Sequence, residues 1–121
     1  MSRSHKEYLQ HILDEIDFLV KSSEKLTKKD FLKNEVLKRA FVRSIEIIGE
    51  AVKNIPAEIK VEHSDVNWKA IAGTRDKLIH GYFGVDYEIV RDIVKNEAPN
   101  LRNQVVEILE KYQQRHEMKL T

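Results

Sequence analysis

Apolar residues recur at three- and four-residue steps along most of this chain. Tyr8, Leu9, Ile12, Leu13, Ile16, Leu19 and Val20 form the first such stripe. That spacing lines one face of an α-helix and does not suit a strand, whose period is two. Ser4 and Glu7 have capping-box spacing, and Ser22 and Ser23 weaken the end of the pattern, so a first helix is expected at about 5–25. Thr27 and Asp30 repeat the capping signal. A second stripe follows in Val36, Leu37, Ala40, Phe41, Ile45, Ile48, Ala51, Val52 and Ile55, and Pro56 stops it by disfavouring helical geometry in the residue before it. Gly49 sits inside that helix. A mid-helix glycine costs about 1 kcal/mol relative to alanine, which points to close approach of another helix, with Glu50 then in reach of Arg75.

Residues 56–64 read as a connection with one short turn around Ala57–Val61. Ser64 or Asp65 can cap a third helix at about 66–80 carrying Trp68, Ile71, Ala72, Leu78 and Ile79. Gly81 falls where helices commonly end in a left-handed residue, which leaves Tyr82 on a Tyr-Phe-Gly-Val loop. Asp86 caps a fourth helix with Ile89, Val90, Ile93 and Val94 inward. Pro99 is expected to kink or split it. The pattern resumes at Leu101, Val105, Ile108, Leu109 and Tyr112 and fades into a polar tail. Four main helices with short connections predict an all-α fold, an antiparallel bundle of four to five helices, as one domain over residues 1–121.

Composition narrows the function more than the fold. A chain of 121 residues can bury one core without a staple. It has no cysteine, which excludes disulfides, thiol catalysis and thiolate metal sites. No apolar run approaches the ~20 residues of a membrane span, and the first residues lack the apolar stretch of a signal peptide, so a cytoplasmic protein is expected. The five histidines are scattered, and neither a metal site nor a cofactor is expected. There is no P-loop, dinucleotide fingerprint, His-Glu-x-x-His or Gly-x-Ser-x-Gly. Net charge is only +1, so a basic surface would have to be local; Lys25, Lys28, Lys29 and Lys33 read as a solvated helix start ahead of the alternative, a track for phosphates. A helix-turn-helix is excluded because the third helix carries Trp68, Ile71 and Ile79 where a recognition helix needs a polar face.

Chemistry concentrates between Trp68 and Asp86. That stretch holds the single Trp, three of the four Gly, and Arg75, Asp76, His80 and Tyr82 within eight residues. On a helix, Asp76 and His80 are neighbours, so the carboxylate can orient the imidazole. Arg75 would lie about 140° around the same helix from His80, a poor convergence within one chain that a two-fold dimer can repair. Histidine can give or take a proton near neutrality, and arginine can grip a phosphate with a bidentate fork. Together they suit cleavage of RNA by its own 2′-hydroxyl, with one imidazole as base, a second as acid, and arginine holding the charge on phosphorus. The competing reading is an ordinary surface pair, with charged His80 at the negative end of a helix dipole.

The segment Arg75-Asp-Lys-Leu-Ile-His80-Gly-Tyr82 resembles the Arg-x4-His-x-Tyr signature of the HEPN superfamily in its HepT toxin branch. The flanking Trp68-Lys-Ala-Ile-Ala-Gly, Phe83-Gly-Val-Asp86 and Ile48-Gly-Glu-Ala51 resemble it too, so the likeness covers nearly the whole chain. The resemblance implies a homodimeric helical bundle that cuts RNA without a metal. It implies Arg75 and His80 as catalytic pair, Asp76 in support, and Tyr82 as the residue to which an MNT-type nucleotidyltransferase antitoxin adds AMP. A different class of function stays open beside it: a non-catalytic helical module that presents nucleotide or substrate to a nucleotidyltransferase.

Overall fold

A computed structural model describes residues 5–79 and 84–120, with side chains through Arg115. The chain is all-α. It comprises α1 (His5–Ser23), α2 (Lys28–Lys33), α3 (Glu35–Lys53), α4 (Ala57–Glu62), α5 (Trp68–Ala72), α6 (Thr74–Leu78), α7 (Tyr87–Asp92), a π-helical segment (Ile93–Glu97) and α8 (Ala98–Leu120). The only extended pairing among the described residues is an isolated antiparallel bridge between Ile79 and Val85. None of the described helices is long and apolar enough to cross a membrane.

The first stripe does what its spacing predicts. Leu9, Ile12 and Ile16 are fully buried, and α1 packs between α3 and α8. Each such side chain contributes roughly 1.5–3 kcal/mol by leaving water. Two ion pairs outside the core hold α8 in place: Arg102 with Asp17 of α1, and Arg115 with Glu62 of α4. The hydrogen bond from Arg115 holds the Glu62 carboxyl below its usual range. Lys95 of the π-helical segment donates to the Ser23 carbonyl at 2.6 Å, satisfying an acceptor left over at the end of α1.

The second predicted helix is two. Thr27 caps α2 as expected, its hydroxyl accepting from the Asp30 N–H at 3.1 Å. The chain then breaks at Asn34 (φ −95, ψ 93), whose side-chain oxygen accepts from the Leu37 N–H at 3.0 Å and starts α3. On a straight helix Phe31 would lie about 80° around from Phe41. The break lets Phe31 turn inward and stack on Phe41, ring centroids 5.1 Å apart. It also leaves Val36, a member of the apolar stripe, 80% exposed.

The third predicted helix is also corrected. Its cap is Asn67, neither Ser64 nor Asp65, with the side-chain oxygen accepting from the Ala70 N–H at 3.2 Å. It is interrupted at Gly73 and ends at Leu78, short of residue 80. Ile79 is extended (φ −98, ψ 118), and the Asp86 N–H returns to the Leu78 carbonyl at 2.8 Å. The helix-ending role expected of Gly81 lies outside the described residues. Asp86 caps α7 as its sequence position predicts, accepting from the N–H groups of Glu88 and Ile89.

Pro99 does not split the last helix. A proline there lacks an N–H and its ring crowds the carbonyl four residues back. The π-helical turn widens the spiral just before it, the Ala98 N–H reaching back to the Ile93 carbonyl, and backbone angles at Ala98 stay helical.

Gly49 faces a helix, as expected of it. A Cβ built there would sit 3.5 Å from the Ile71 carbonyl oxygen and 3.6 Å from that of Ala72. Those are ordinary contact distances, so alanine fits and a longer side chain does not. Gly49→Leu is expected to destabilise the bundle by about 1–3 kcal/mol while Gly49→Ala melts within a few degrees of the parent, both read by thermal circular dichroism.

Candidate active site at the α6 helix

The two short helices are positioned from below. The Trp68 indole N–H donates to the buried His63 carbonyl at 3.0 Å, which pins the start of α5 to the end of α4. Thr74 bridges the break at Gly73 by donating its hydroxyl to the Ala70 carbonyl at 2.8 Å. Leu78, almost fully buried, anchors the far end of α6. Between these fixed points Arg75, Asp76 and Lys77 are exposed. Among the described residues none of the three side chains has a hydrogen-bond or ion-pair partner, so a cation fork and a carboxylate stand ready in water.

Two expectations about this helix need correction. Glu50 does not reach Arg75; it pairs with Lys53 at 3.1 Å, one helical turn away. The helical proximity inferred for Asp76 and His80, and the angular separation inferred for Arg75 and His80, assumed a helix through residue 80, and α6 stops before it. His80 and Tyr82 themselves lie outside the described residues. The bridge from Ile79 to Val85 brings together the two ends of the segment that contains them.

Beside α6 lies a groove of about 520 Å³. Ile16, Leu19, Ile45 and Ile48 reach its floor, Ile71, Ile93 and Leu101 form its sides, and Thr74 and Lys77 of α6 line it. Asp92, Asn96 and Asn100 lie along it at four-residue steps. The sequence pattern missed this groove, although that polar row beside Ile89 and Ile93 was its visible trace. No group of three His, Asp or Glu residues among the described ones is placed to hold a metal ion.

The described structure is thus an all-α bundle that presents an arginine and a carboxylate on a short helix, five and four residues before a histidine in sequence. A family model described as ribonuclease HepT-like matches residues 12–108. A protein of Caldanaerobacter subterraneus subsp. tengcongensis, provisionally named an RNase, is 54% identical over 90% of this chain and 97% of its own. One of Thermococcus cleftensis, named with similar reserve as ribonuclease HepT, is 42% identical over 84% of this chain and 93% of its own. A Methanocaldococcus jannaschii protein, again provisionally named an RNase, is 42% identical over 84% of each chain. No solved structure gives a significant match. The chain belongs to the HepT-like ribonuclease family.

Removing the indole hydrogen bond tests how α5, the helix on which α6 follows, is held. Trp68→Phe leaves the His63 carbonyl without this donor and is expected to lower stability by about 1–3 kcal/mol in urea unfolding, with helix content retained.

Proposed function

We propose that this protein is a metal-independent endoribonuclease acting as the toxin of a type VII-like toxin–antitoxin pair in the cytoplasm. The observation that carries the reading is Arg75-x4-His80-x-Tyr82 in a HepT-like chain, with Arg75 and Asp76 exposed and unengaged on α6. In the proposed step His80 of one protomer accepts the proton of an RNA 2′-hydroxyl, and the 2′-oxygen bonds to the adjacent phosphorus. The 5′-oxygen of the next nucleotide leaves, taking a proton from His80 of the second protomer. Arg75 holds the charge that develops on the phosphoryl oxygens, and Asp76 supports the pair electrostatically. A single His80 cannot be base and acid in the same step, so the active species is a homodimer. His80→Ala and Arg75→Ala are each expected to lower RNA cleavage by at least about 100-fold with unchanged circular dichroism, and EDTA to leave the parent's rate unchanged. Full activity in His80→Ala, or loss of activity in EDTA, contradicts the mechanism.

The control point in this reading is Tyr82. Its phenol oxygen attacks the α-phosphorus of ATP held by an MNT-type nucleotidyltransferase antitoxin, and pyrophosphate leaves. The new phosphodiester brings negative charge beside Arg75, occupies its fork and repels RNA. After incubation with the nucleotidyltransferase and ATP, mass spectrometry is expected to find adenylate on Tyr82 and none on Tyr8, Tyr87 or Tyr112, and Tyr82→Phe is expected to escape silencing.

A further inference from the structure

We propose that the groove beside α6 is a base-binding subsite that takes a guanine of the RNA substrate. The proposal rests on the ribonuclease reading and adds to it a specificity for which that reading gives no cause. The groove runs along α6, the helix that carries Arg75 and Asp76: Thr74 and Lys77, one turn apart on the same face, line it. At about 520 Å³ it is roomy enough for a base together with its sugar. Its sides, Ile71, Ile93 and Leu101, are half-buried aliphatic surfaces against which a flat aromatic ring can lie. An unstacked base needs such a surface, since single-stranded RNA is read by ring contact and by hydrogen bonds to the base edge.

The polar groups select among bases. Asp92, Asn96 and Asn100 lie along the groove on the widened π-helical turn and its flanks, and all three are exposed. None of their side chains has a hydrogen-bond or ion-pair partner among the described residues. Asp65 and Glu97 add further negative charge, against one cation, Lys77, among the described residues that line the groove. That balance disfavours a phosphate inside the groove and favours a ligand edge rich in N–H donors. Guanine alone among the four bases offers two adjacent donors, N1–H and the N2 amine, that match the two oxygens of one carboxylate. Its neighbouring O6 accepts from an amide such as Asn96. Lys77, which lines the groove from α6, offers a cation to the phosphate that follows the base.

The test uses 2′-O-methyl pentanucleotides, which lack the attacking hydroxyl, so binding is read apart from cleavage. Fluorescence anisotropy on the full chain is expected to show a guanine-containing oligonucleotide binding about tenfold more tightly than its uracil counterpart. Asp92→Asn is expected to erase that difference while leaving thermal melting and sedimentation unchanged. Asn96→Ala is a second variant in case Asp92→Asn does not fold. Equal affinity for all bases, with RNA still bound and cut, overturns the subsite and leaves the ribonuclease reading standing. A change of sedimentation in Asp92→Asn also overturns it, because the groove would then be occupied by a second copy of the chain. Failure of the parent to cut any unmodified RNA is read in a separate assay and overturns the ribonuclease reading itself.

Discussion

The backbone of α5 lies against Gly49 of α3, and the candidate site depends on that approach. A Cβ at position 49 would already touch two carbonyl oxygens at the end of α5. With a longer side chain there, α5 would stand off the bundle, and the groove that shares Ile45, Ile48 and Ile71 would change shape with it. The short helices have little internal stability, since isolated helices under about a dozen residues are marginal in water. They are held instead by contacts at their edges: the Trp68 indole on the His63 carbonyl, the Thr74 hydroxyl across the break, and Leu78 in the core. Arg75 and Asp76 are thus carried on a fragment whose position is set almost entirely by tertiary packing.

That dependence governs what could be read from the chain alone. The long helices α1 and α3 were legible because their burial is periodic over many turns, and Asp86 and Thr27 because capping is a local affair of one side chain and one N–H. The reason for Gly49 was legible too, since a glycine within a good helical stripe weakens the helix unless a neighbouring backbone comes close. The break at Asn34 was not, because the apolar rhythm runs through it and the cause is a packing event between Phe31 and Phe41. Nor was the end of α6. Nothing in Thr-Arg-Asp-Lys-Leu-Ile opposes helix; the chain leaves it because Leu78 is drawn into the core and Asp86 returns to its carbonyl. Pro99 was expected to kink or split the helix; it does not split it, and the helix widens by a residue just before the proline.

The chemistry was legible to a different degree. Residue types suggested acid–base catalysis with phosphate binding, and membership of the HepT-like ribonuclease family agrees with that suggestion. The helix on which its geometry was reckoned ends at Leu78, and His80 lies outside the described residues. In the proposed mechanism a shared site follows from proton count: a base and an acid are needed in one step, and each chain would supply one His80.

The nature of the ends left on cut RNA tests the central claim most directly. Attack by the neighbouring 2′-oxygen, assisted by imidazoles, leaves a 2′,3′-cyclic phosphate on one fragment and a 5′-hydroxyl on the other. Mass spectrometry of the fragments made by purified protein in EDTA is predicted to find those ends, and to find none with His80→Ala. Fragments ending in 3′-hydroxyl and 5′-phosphate, or fragments that form equally well without His80, would contradict it.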